Sequence, residues 1–144
     1  MKNVKFYLAG GMTGLSDTEQ FLWRMDVENT IRNIVSDYEI KAKPDFFNPP
    51  EYFSIDEPTH QSEYETMEFD LYNLKRSDVV IVNFNSPNSI GTAMELAVAY
   101  ENRIPILAFN EDDVELHPWL KTCCNRVFTS VDEIANYACY YYLI

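Results

Sequence analysis

Apolar residues dominate positions 4–9, which predicts a buried first strand, and Gly10-Gly11-Met12-Thr13-Gly14 follows at once. Ser16 and Glu19 then stand at capping-box spacing. Trp23, Val27, Ile31, Ile34 and Val35 continue from them as a helical stripe. Residues 39–47 read as a second strand, with Pro44 placing it at a sheet edge because proline cannot donate to a ladder. Asn48-Pro49-Pro50 ends that strand, and residues 51–61 lack any period and read as an ordered surface loop. From Ser62 the pattern turns helical, with Met67, Leu71 and Leu74 along one face. Residues 78–84 are the strongest strand signal, a continuous apolar run suited to a central parallel strand. A turn, a helix over 91–101, a strand over 104–109 and a short helix or turn within 114–124 come next. A brief strand at 126–128 and a helix opened by Ser130 and Glu133 complete the chain.

Strands alternating with helices at this spacing predict one doubly wound, flavodoxin-like α/β domain over residues 1–144. Its sheet is expected to be five-stranded and mainly parallel, with helices on both faces. No internal repeat or linker interrupts the chain. In such a sheet, ligands bind at the carboxyl ends of the strands, near the point where strand order reverses. Three segments should arrive there: residues 10–14, the loop before Ser62, and residues 83–91.

Composition narrows the partners. With 144 residues, 47% of them hydrophobic and 24% charged, the chain has the make-up of a folded domain rather than a disordered one. Eleven Lys and Arg against 23 Asp and Glu give a net charge of −12. So acidic a chain argues against polymeric nucleic acid and against anionic membranes, both of which are held by basic residues. A small anion remains compatible, because backbone N–H groups at a helix start can hold one phosphate. No apolar run is long enough to span a membrane, and the first residues are not expected to act as a signal peptide. Three cysteines, two of them adjacent at Cys123-Cys124, form no disulfide framework, so a reducing cytoplasm is expected.

The candidate chemistry lies in two places. Three of the four glycines fall in residues 10–14, yet the loop has neither the spacing of a dinucleotide fingerprint nor the Lys-Ser/Thr of a phosphate-binding P-loop. The second place is Ser89-Ile90-Gly91-Thr92-Ala93-Met94-Glu95-Leu96. Ser89 and the N–H groups of Gly91 and Thr92 should form a helix-start anion site, and Glu95 follows one turn later. A glutamate among small and apolar neighbours is costly to ionise, although a solvated helix face would also account for it. Asp70, between Met67 and Leu74, reads on pattern alone as a surface acid. Two carboxylates meeting across a cleft would suit glycosidic chemistry, one attacking the sugar carbon and the other protonating the leaving group. His60 and His117 lack metal-ligand spacing and Cys123-Cys124 lacks redox spacing, so all four read as structural. The aromatic tail, from Tyr137 to Ile144, is expected to pack on the sheet or on another subunit.

In order and spacing, Tyr7-Leu8-Ala9-Gly10-Gly11, Asp70-Leu71, Ser77-Asp78-Val79-Val80 and Gly91-Thr92-Ala93-Met94-Glu95-Leu96 resemble the nucleoside 2-deoxyribosyltransferases and their relatives, the 2′-deoxynucleoside 5′-phosphate N-hydrolases. The likeness spans roughly residues 4–109. It implies that Glu95 is a nucleophile forming a glycosyl-enzyme intermediate, that Tyr7 orients it, and that Asp70 protonates or hydrogen-bonds the departing base. It further implies a substrate site built from Gly10, Gly11, Met12, Thr13, Ser89, Gly91 and Thr92. No metal or organic cofactor is implied, and neighbouring subunits are expected to complete each site in a homodimer or larger homo-oligomer. The transferases usually carry an aspartate six residues before the nucleophile, on the sugar 5′-hydroxyl. Residue 89 is serine here, as in the hydrolases, where it helps hold a 5′-phosphate. The arginine common in the hydrolases' glycine loop is absent, and Arg24, one helical turn inward, is the nearest substitute.

The expected activity is therefore hydrolysis of the base–sugar bond of a (deoxy)nucleoside 5′-monophosphate. Base exchange between deoxynucleosides is the alternative, and a non-catalytic nucleotide-binding module is the rival of another class. A receiver domain shares the strand–helix alternation but needs acidic residues where this chain has Gly10-Gly11 and Asn83 or Asn85.

Overall fold

Alternation along the first strand decides how the molecule is layered. In a computed structural model describing residues 1–12, 14–52 and 61–144, β1 (Asn3–Gly10) points Val4, Phe6 and Leu8 to one face and Tyr7 and Ala9 to the other. Val4, Phe6 and Leu8 meet Val27 and Ile31 of α1 (Asp17–Asp37), together with Ile134, Ala135 and Ala138 of α5 (Val131–Ala138). Tyr7 and Ala9 meet Leu74 of α2 (Glu63–Lys75) and Leu96 and Ala99 of α3 (Ile90–Glu101). With β2 (Lys43–Phe47), β3 (Val79–Asn83), β4 (Ile106–Phe109) and β5 (Arg126–Phe128), β1 forms a five-stranded sheet of order β2-β1-β3-β4-β5, every neighbouring pair parallel. This is the expected flavodoxin-like α/β arrangement. The short α4 (Pro118–Thr122) sends Leu120 against the α2–α3 side.

The sheet places β3 entirely inside, its five residues all buried, as a continuous apolar run requires. Pro44 does lie at an edge, since β2 pairs only with β1. The expected serine caps form: the Ser16 and Glu19 side chains each accept from the other residue's backbone, and the Ser130 hydroxyl caps α5; Ser62 caps α2 in the same way. Several expectations shift. β2 begins at Lys43 rather than at residue 39, because Glu39 turns with φ 50° and Ile40 N donates back to Val35 O. Pro49–Tyr52 form a 3₁₀ turn. On α2 only Leu74 is fully buried, while Met67 and Leu71 face a cavity described below. Cys123 and Cys124 are half-buried against the α2–α3 side. His117 caps α4, its Nδ1 accepting from Trp119 N at 3.1 Å. The aromatic tail continues α5 as a π-helical turn, Cys139–Leu143. Leu143 of that turn is buried on the α1 side, whereas Tyr140 and Ile144 are exposed. Among the described residues, no helix is long and apolar enough to cross a membrane.

Candidate active site

The order β2-β1-β3 means that the chain leaves β1 toward one face and β3 toward the other. The two loops therefore part at the carboxyl ends of β1 and β3, where a crevice opens. A cavity of about 710 Å³ occupies this place, within the range of roughly 300–1,000 Å³ common for small-molecule sites. Gly10, Met12, Asp70, Ser89, Gly91, Thr92 and Glu95 all line it. Seven of the residues singled out in the sequence are thus brought together, from β1, its loop, α2 and α3.

Glu95 owes its position to the helical period. Thr92, Leu96 and Ala99 form the buried stripe of α3, and residue 95 falls on the edge of that stripe. Its carboxylate reaches under the cavity to Tyr7, whose hydroxyl donates to Glu95 Oε2. Tyr7 itself is buried in the strand and stacks on Phe47 with ring centroids 5.2 Å apart, so it holds a fixed orientation. Burial pushes the Glu95 carboxyl up to about 7; the bond from Tyr7 opposes this, nearby Asp70 reinforces it, and Arg24 opposes it. The Tyr7 phenol is raised well above its ordinary value, first by burial and then by the charges of Glu95 and Asp70, so it stays a donor.

Asp70 enters from α2. Burial raises its carboxyl to about 6, against the pull of Arg24. Its Oδ1 is buried and has no protein hydrogen-bond partner among the described residues. Leaving a buried polar atom unpaired costs about 1–3 kcal/mol, a penalty relieved when a ligand donor arrives. The Asp70 residue lines the cavity.

At the opposite end Ser89 is the N-cap of α3. Its hydroxyl accepts from Thr92 N at 3.3 Å and from Thr92 Oγ1 at 3.1 Å, leaving its own proton to donate outward. Helix N–H groups and this hydroxyl make the cap favourable to negative charge. Gly11 packs directly against this end: a Cβ built on it would lie 2.5 Å from Ser86 Cβ and 3.6 Å from Ser89 Cβ. Gly11→Ala should therefore push the two loops apart and raise KM at least tenfold with kcat changed less, measurable by steady-state kinetics. Thr13, His60 and the loop at 53–60 lie outside the described residues.

Ser86 and Asn88 lie in the segment 83–91 that was expected at the crevice but were not singled out, whereas Glu63 and Thr66, in the first turn of α2, were not expected there; all four line the cavity. The signal for Ser86 was Gly11 itself, since two loops meeting without a side chain between them implies a close neighbour. Arg24 does not take the place of a phosphate-facing arginine. It is buried beneath the loop, and each of its three side-chain nitrogens donates to a backbone carbonyl.

No protein-family model matches the chain, and a comparison with curated protein sequences finds no match. Solved structures do match. The 2-deoxyribosyltransferase of Bacillus psychrosaccharolyticus superposes with a TM-score of 0.73 at 20% identity, over 93% of this chain and 92% of that one. The 2-deoxyribosyltransferase of Leishmania mexicana gives 0.61 at 16% identity, over 97% and 99%. A CMP N-glycosidase of Clostridium botulinum gives 0.54 at 14% identity, over 95% and 98%. At these identities the likeness is one of fold: this chain has the sheet and helix arrangement of enzymes that act on nucleosides and nucleotides.

Proposed function

We propose that the protein is an N-glycosidase that cleaves the base–sugar bond of a (deoxy)nucleoside 5′-monophosphate through covalent attack by Glu95. The observation that carries this reading is the pair of carboxylates in one cavity, Glu95 held from below by Tyr7 and Asp70 with an unpartnered oxygen. The named activities of the structural neighbours support it, since they include 2-deoxyribosyl transfer and a CMP N-glycosidase.

The chemistry follows from those positions. With Oε2 occupied by the Tyr7 hydroxyl, Oε1 of Glu95 is the oxygen available to attack C1′. The C1′–N bond breaks as the C1′–O bond forms, and Asp70 gives its proton to the departing base nitrogen. Water then attacks C1′ and loses a proton to Asp70, the C1′–O bond to Glu95 breaks, and free base and sugar 5-phosphate leave. Ser89, Gly91 and Thr92 at the start of α3, with Ser86 and Gly11, would hold the 5′-phosphate. The carboxyls near 6 and 7 titrate as a pair, so around pH 6.5 they share about one proton. Glu95 is the more basic carboxyl, so the shared proton rests mostly on it, and the working form, with Glu95 ionised and Asp70 protonated, is the minor one.

One observation favours a second reading, base exchange between deoxynucleosides. Glu63, Asp70 and Glu95 line the cavity and, among the described residues, no Lys or Arg does. An uncharged 5′-hydroxyl meets such a lining with less repulsion than a phosphate. A panel of nucleoside monophosphates, analysed by chromatography, tests the first reading and should show free base. Deoxynucleosides mixed with a second base test the alternative. A new nucleoside there, with every monophosphate left intact, would replace hydrolysis by transfer. Nucleotide bound tightly yet recovered whole would leave only a binding module.

A further inference from the structure

The ladder between β1 and β2 stops at a proline. Lys43 N donates to Lys2 O, and the pairing runs Asn3 to Lys43 through Tyr7 to Phe47. In a parallel ladder the donors advance by two on each strand, so carbonyls 2, 4 and 6 are met by residues 43, 45 and 47. The next acceptor, Leu8 O, would be met by residue 49, which is proline and has no N–H. On its other edge β1 stays paired with β3 as far as Gly10. Leu8 O and Gly10 O therefore look out over a missing strand, at the end of β1 that carries the cavity.

Arg24 fills this gap. Its Nε donates to Leu8 O at 3.3 Å and one terminal nitrogen to Gly10 O at 3.4 Å, while the other terminal nitrogen is anchored on Gln20 O at 2.6 Å. The guanidinium lies over the Trp23 ring, 4.4 Å from its centroid. A Cβ on Gly10 would sit 2.6 Å from Trp23 Cζ2 and 3.5 Å from the arginine, so glycine is what lets strand and guanidinium meet. Arg24 is 1% exposed, and no carboxylate lies within ion-pair distance of it among the described residues. A buried cation without a partner costs several kcal/mol unless other charges offset it. The groups whose fields it feels are Glu95 of α3, Tyr7 of β1 and Asp70 of α2. Burial lowers its pKa only to about 10, so it stays charged at neutral pH.

We propose that Arg24 is a positioning residue with two linked tasks. It stands in for the donors that β2 cannot supply, fixing the end of β1 that carries Tyr7 and the glycine loop, and it sets a permanent positive charge behind the Glu95–Asp70 pair. That charge favours ionised Glu95 without touching substrate. The role rests on the reading of Glu95 as nucleophile.

Two substitutions separate donors from charge. Arg24→Gln keeps amide donors and removes the charge; Arg24→Lys keeps the charge and narrows the donor fork. The Glu95 carboxyl is titrated without substrate by carbon-13 NMR of glutamate-labelled protein, its resonance assigned by its loss in Glu95→Gln. In Arg24→Gln the Glu95 pKa should rise above the wild-type value, with a matching loss of ionised Glu95 below it. In Arg24→Lys it should stay near the wild-type value, and both limbs of the kcat/KM profile should move to higher pH in Arg24→Gln and hold in Arg24→Lys. A folded Arg24→Gln protein with an unmoved Glu95 titration would overturn the proposal. So would loss of the fold in both variants, which would make the guanidinium scaffold alone. Because the titration needs no turnover, an unmoved Glu95 refutes this role and leaves the glycosidase reading standing. Conversely, base release that survives Glu95→Gln refutes the glycosidase reading and leaves the titration result standing.

Discussion

Glu95→Gln should lower kcat for base release at least about a thousandfold, a loss of roughly 4 kcal/mol at 1.36 kcal/mol per decade. The amide still accepts from the Tyr7 hydroxyl and fills the same space, so the cavity keeps its shape, but no carboxylate oxygen remains to attack C1′. Stability should move the other way. The Glu95 carboxyl is raised to about 7 in the folded protein, against about 4.3 for an ordinary glutamate. Between these values the folded state binds more protons than the unfolded one, so stability falls as pH rises from about 4.3 through 7. The glutamine has no such dependence. The variant should therefore be at least as stable as the wild type at pH 8, and the difference should vanish near pH 4, as urea melts at both pH values would show. A variant that is inactive because it is unfolded would fail this check.

Asp70→Asn should cost about a hundredfold to ten-thousandfold in kcat, the range for loss of a general acid. The loss should shrink for substrates whose base is already a good leaving group, because such a base needs little help from a proton. The pH profile carries the sharper mark. With both carboxyls present, kcat/KM rises as the pair loses its first proton and falls as it loses the second, giving a narrow bell with limbs near 6 and 7. Asparagine removes the second proton, so the falling limb should disappear and leave a single rise. That rise should follow the Glu95 carboxyl alone, at a pH no lower than the wild-type acid limb, because Asp70 no longer supplies the first proton. A profile that keeps its falling limb in Asp70→Asn would assign the acid to another group.

What was legible in the sequence was local or periodic. Ser16 with Glu19, and Ser130 with Glu133, mark helix starts because a cap is decided within four residues. The apolar run at 79–83 marks the central strand because burial on both faces demands it. Glu95 stood out because a carboxylate one turn into a small and apolar helix start asks for a reason, and Asp70, a surface acid on pattern alone, drew notice as a possible second carboxylate whose assignment came from the resemblance. The residues that escaped depend on distant parts of the chain. Ser86 lines the site because the β1 loop comes down on it at Gly11, which no local pattern encodes. Arg24 sits in an ordinary helical stretch, and its task shows only once the residue due to meet Leu8 O beyond β2 is seen to be a proline, Pro49. Glu39 breaks the expected start of β2 with a left-handed turn that its side chain does not announce.

The central claim is that Glu95 Oε1 forms a bond to the sugar. It is tested most directly by quenching the enzyme in acid during turnover of a slow substrate, one whose 2′-fluorine destabilises the cationic transition state, and mapping the mass of its peptides. The account predicts an added sugar phosphate, or sugar, on the peptide containing Glu95 and on none from Glu95→Gln. Base released with no adduct on any peptide, or an adduct on a different residue, would contradict it.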